Sequence, residues 1–143
     1  MKKLRGMSRG FTLIELLIVL AVIAALLAIV TPIALNAVKQ AKITNVAATI
    51  RNIRSAAESY IYVEKPATPT SVTLEELYNK NYLNTEPTGF DLSFSSWGTD
   101  GSATGKIKYT GGDVTVADLQ KVLPEAKDVD GSPGIEFKVV KYW

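Results

Sequence analysis

Gly10-Phe11-Thr12-Leu13-Ile14-Glu15 joins a short basic stretch to a long apolar run and sets one carboxylate inside that run. Glu15 is the sole charged side chain in residues 11–38. A carboxylate at membrane depth is costly, and an ionisable residue there marks a functional site whose partner must be named. Upstream, Lys2, Lys3, Arg5 and Arg9 form a leader without an acid. Positive charge flanking an apolar segment stays on the cytoplasmic side, so the N-terminus is expected inside and the rest of the chain outside.

Residues 16–30 are unbroken apolar sequence, and residues 11–30 are interrupted only by Thr12 and Glu15. About 20 such residues are enough for a helix to cross the hydrocarbon core. A secretory signal has a shorter apolar run, about 7–15 residues, and then a cleavage site on its far side. A plain single-span anchor accounts for the length and the leader but leaves Glu15 unexplained.

The spacing predicts that the helix continues past Pro32. Ile43, Val46, Ile50, Ile53, Ala57 and Tyr60 recur at steps of three and four, one face of a helix, while Lys42, Asn45, Arg51, Asn52, Arg54, Ser55 and Ser59 fall mostly elsewhere. One helix from Phe11 to about Tyr62 is expected, apolar all round in its first half and amphipathic in its second. Pro32 lacks an amide donor and crowds the preceding turn, so a kink is expected there.

Glu64-Lys65-Pro66-Ala67-Thr68-Pro69-Thr70-Ser71 ends the helix in a loop. Thr73 to Glu76 fits a capping box, with Thr73 as the N-cap and Glu76 reaching back, ahead of a short helix over Leu74 to Asn79. Alternation predicts strands at Phe90 to Phe94, Lys106 to Thr110 and Ile135 to Tyr142, with a short helix at Val116 to Leu123. Short connections imply an antiparallel sheet, laid over the amphipathic half of the long helix.

Composition removes several functions. With neither Cys nor His among 143 residues, the chain lacks a disulfide, the commonest general base and the commonest metal ligand. The C-terminal region must therefore be held by packing and hydrogen bonds, or by a metal. From Glu64 onward twelve acids face eight lysines, a net charge of −4, which is a poor footprint for DNA binding by this subunit. Asp128-Val129-Asp130-Gly131 contains a fragment of a calcium loop, but Ala126 and Phe137 stand where the full pattern wants an acid and a Glu, so a solvated turn is expected. No metal and no cofactor is expected.

The basic leader, Gly10, Phe11-Thr12-Leu13-Ile14-Glu15 and the aliphatic run resemble, over residues 1–60, the class III signal of type IV pilins and the related pseudopilins. The resemblance implies an α+β pilin fold, with the long helix packed on a small antiparallel sheet. It divides the chain into a leader (1–10), a transmembrane and filament-core helix (11–35), an amphipathic helix (36–62) and an exported head (63–143). It implies cleavage between Gly10 and Phe11 by a prepilin peptidase, which then N-methylates Phe11. Glu15 would pair with the amine of Phe11 on a neighbouring subunit, and Pro32 would accompany unwinding of the helix in a filament. The implied partners are the peptidase and methylase, identical or related pilin subunits, an inner-membrane assembly platform, and lipid before assembly. The implied function is structural: a subunit polymerised into a type IV pilus-like filament for adhesion, motility or DNA uptake.

The precursor would sit in the cytoplasmic membrane and the mature filament would be extracellular or periplasmic. A pseudopilin of a type II secretion or competence system shares the same N-terminal motif. Ser96-Trp97-Gly98-Thr99-Asp100-Gly101 is only loosely similar to the calcium region of some secretion pseudopilins, because the acid cluster is missing. A single-span protein whose head binds a partner without polymerising is the alternative from another class.

Overall fold

A computed structural model describes residues 10–143; the basic leader lies outside the described residues. The described chain falls into two compact units, the first ending at Lys39 and the second covering Gln40–Trp143. One helix, α1 (Leu13–Glu64), belongs to both. It is followed by a 3-10 turn (Pro69–Ser71), α2 (Leu74–Asn79), β1 (Phe90–Phe94), β2 (Ser102–Tyr109), α3 (Val116–Gln120), β3 (Lys127–Val129) and β4 (Ser132–Val140).

The four strands make one antiparallel sheet in the order β1-β2-β4-β3. This is the long-helix, small-sheet α+β arrangement expected of a pilin-like chain. Within the second unit, the stripe Ile43, Val46, Ile50, Ile53, Ala57 and Tyr60 is buried in one core with Leu92, Ile107, Ile135, Phe137 and Val139 of the sheet. The helical period that selects those positions is therefore also what selects the sheet as their cover. Cations on the flanks of α1 meet head groups: Lys42 lies 3.4 Å from Asp113 and Arg54 2.9 Å from Glu125, and Arg51 donates to the Val122 carbonyl at 2.7 Å.

Three expectations are corrected. Strand β2 starts at Ser102 rather than Lys106, and β4 runs Ser132–Val140 rather than ending at Tyr142. Within β2, Gly105 leaves its side-chain space to aromatic rings. A Cβ on Gly105 would stand 2.6 Å from ring atoms of both Phe94 and Phe137, which pack edge to face. The third correction concerns Glu76. Thr73 accepts from the Glu76 N–H at 3.2 Å, but the Glu76 carboxylate accepts from the Tyr60 hydroxyl at 3.1 Å instead of reaching back. A hydroxyl offered by α1 thus takes the carboxylate away from its local cap.

Strand β3 was not expected at all. It pairs with β4 through a two-residue turn in which Asp130 (φ 52°) and Gly131 (φ 82°) both occupy the left-handed region. That pair of positive φ values matches the twist of a tight hairpin, and Asp-Gly supplies it readily. The Asp128 carboxylate accepts the Gly131 N–H at 2.7 Å, and Asp130 pairs with Lys106 at 3.1 Å.

The segment beyond β4 is held without a disulfide. Lys141 N–H donates to the Gly101 carbonyl at 2.7 Å, and the Tyr142 hydroxyl donates to the Tyr62 carbonyl at 2.9 Å. Trp143 meets Trp97 edge to face at 5.7 Å between ring centroids.

Candidate processing and assembly site

Gly10 and Phe11 are exposed and lie outside the helix, which begins at Leu13. Two hydrogen bonds fix that start. The Glu15 carboxylate accepts the Thr12 N–H at 2.7 Å, and the Thr12 hydroxyl accepts the Glu15 N–H at 3.3 Å. This reciprocal pair is a capping box: it satisfies two of the amide donors that a helix N-terminus otherwise leaves orphaned. Gly10 and Phe11 are left ahead of the first turn, exposed to solvent.

The capping box is the feature of the candidate site that sequence reasoning missed. Its signal, Thr12-x-x-Glu15, has the same form as Thr73-x-x-Glu76. An acid within an apolar span points first to a distant cation, and the local Thr12 partner is the less obvious one. Among the described residues the structure thus gives Glu15 Thr12 as its hydrogen-bond partner.

Downstream, the large apolar side chains of residues 13–38 are each 47–78% exposed. Among the described residues of the first unit nothing covers them. The helix is long and apolar enough to cross a membrane by length and composition. It stays helical through Pro32. Proline leaves the carbonyl four residues earlier, on Ala28, without its amide donor. Thr31 Oγ1 donates to the neighbouring Leu27 carbonyl at 2.7 Å, so polar backbone in this turn is partly served by a side chain.

Residues 5–31 match the family model for the prokaryotic N-terminal methylation motif, the class III signal peptide of type IV pilins. The match contains Gly10, Phe11, Thr12, Glu15 and most of the apolar run. It is the motif of a processed pilin- or pseudopilin-like subunit, structural rather than enzymatic, carried by a membrane-anchored precursor. It implies a prepilin peptidase and fellow pilin subunits as partners. No curated protein and no solved structure gives a match to the chain.

Proposed function

We propose that the chain is a pilin: a precursor cut between Gly10 and Phe11, N-methylated at Phe11, and polymerised through its apolar helix into a type IV pilus-like filament. The observation that carries this reading is the methylation motif running directly into a helix whose apolar side chains over residues 13–38 lack a cover. Lipid covers it before assembly, and the helices of other copies cover it afterwards. Cleavage leaves an ammonium on Phe11. An opposite charge favours the ionised carboxylate and offsets its desolvation, so Glu15 has a cationic partner available on an adjoining subunit. A buried ion pair is better attested as a register device than as a source of stability. Pro32, with the orphaned carbonyl behind it, is the place where α1 bends or unwinds as subunits pack. Adhesion, motility and DNA uptake are the uses such a fibre serves, and its mature location is outside the cytoplasmic membrane.

Two measurements test this. Intact mass of the native protein should correspond to a chain beginning at methylated Phe11; retention of Met1 would support a non-polymerising membrane protein instead. Glu15→Val should still be cleaved and inserted but should yield few or no filaments. A normal filament yield from that variant removes Glu15 from assembly.

A further inference from the structure

The second unit carries an open groove of about 750 Å³ between α1 and the segment that joins α2 to β1. Its walls are unlike those of an ordinary small-molecule pocket, which is mostly apolar with a few polar groups. From α1, Asn52, Ser55 and Ser59 project along one helix face, spaced three and four apart. From the joining segment come Asn84, Thr85 and Thr88. All six are exposed, and none makes a side-chain hydrogen bond among the described residues. The groove thus presents hydroxyls and primary amides whose donors and acceptors are uncommitted.

Two aromatic rings, Tyr82 and Phe90, are half-buried at its margins. Tyr82 is braced by an edge-to-face contact with Tyr60 at 5.4 Å and by a hydrogen bond from its hydroxyl to Glu64 at 3.3 Å. Glu86 is the one charged lining residue, and no Lys or Arg takes part. A phosphate, a sulfated polymer or nucleic acid would find no cation here. A lipid or an apolar helix would find a lining whose accessible surface is mostly polar, with Leu83 and Pro87 half-buried and Ile53 and Ala56 buried.

We propose that this groove binds a neutral oligosaccharide. Such a ligand offers many hydroxyls that both donate and accept, matching amide and hydroxyl walls, and C–H faces that lie against aromatic rings. The proposal does not depend on polymerisation, since every residue it uses belongs to one subunit.

The test uses the unassembled full chain in detergent micelles, with the side-chain amides of Asn52 and Asn84 followed by NMR. Neutral hexasaccharides of glucose, galactose and mannose are titrated alongside a sulfated heparin hexasaccharide. At least one neutral sugar should shift both amides saturably, with a Kd of order 1 mM or tighter. The exposed double substitution Asn52→Ala, Asn84→Ala should weaken that binding at least about tenfold while the tryptophan emission of the folded head is unchanged. The proposal is overturned if no neutral sugar moves the two amides up to about 10 mM, if the double variant binds as well as the parent, or if the sulfated sugar binds best. Shifts that grow with protein concentration alone would assign the groove to a second copy of the chain, and would equally overturn it.

Discussion

The two halves of α1 are both rich in aliphatic residues and meet opposite fates. In residues 13–38 the apolar side chains surround the helix and stay uncovered; from Ile43 onward they narrow to a stripe that the head buries almost completely. The difference lies in where polar residues are allowed. One half has no polar face, so a small sheet on one side could never bury it. The other half gives up its remaining faces to Lys42, Arg51, Arg54 and a run of amides and hydroxyls, and a small sheet is then enough. The same helix is therefore covered at one end and bare at the other.

Identical deletions in the two halves should separate them most sharply. Ile50→Ala removes a side chain that is 0% exposed and should destabilise the head by about 2–5 kcal/mol in a thermal or denaturant melt. Ile23→Ala should change the same melt by about 0.5 kcal/mol or less, since Ile23 is 47% exposed and is no member of the buried core. Equal losses from both variants would abolish the distinction. A smaller effect tests how tightly the sheet closes over the stripe. Gly105→Ala places a Cβ against Phe94 and Phe137, and should cost about 1–3 kcal/mol through overpacking. A neutral result would mean that the rings have room to move.

At the uncovered end, Thr12→Val removes the hydroxyl of the capping box. It should weaken the first turn by about 1 kcal/mol, visible as faster amide exchange over residues 13–16, while the melt of the head stays where it was. The smallest effect belongs to pH. The Ser102 hydroxyl, the Ser102 N–H and the Lys138 ammonium, in that order, hold the Asp100 carboxyl down to about 2 from its ordinary 3.8. Because the folded value is the lower one, this contribution is complete above the ordinary value of 3.8 and fades as pH falls through about 2. Asp100→Asn should flatten that acid limb, and an NMR titration placing the Asp100 carboxyl near its ordinary value would refute the assignment.

Much of this was legible in the sequence because it depends on period. The three-and-four spacing of the α1 stripe, the alternation in β1 and the Thr73 cap are local patterns, and each is found where the residues put it. The illegible features depend on partners far along the chain. Lys127–Val129 is too short to show alternation, and it becomes a strand only because the Asp130-Gly131 turn folds it onto β4. Ser102 to Gly105 carries no large side chain to mark a strand, and at Gly105 the rings of Phe94 and Phe137 take the space instead. Glu76 leaves its own cap for Tyr60, sixteen residues away, which no local rule anticipates. At the candidate site the motif was readable in full; only the bond between Glu15 and Thr12 needed coordinates.

The edge-to-face contact of Trp97 and Trp143 joins the protein's two tryptophans. Their indoles are close enough to couple electronically, and the Trp97 ring nitrogen is shielded from solvent. Ultraviolet emission and circular dichroism of this chain therefore come with a built-in optical gauge. It reports on the sheet-bearing unit alone, so loosening of that unit can be followed without attaching a dye, even while the greasy helix is immersed in micelle or fibre.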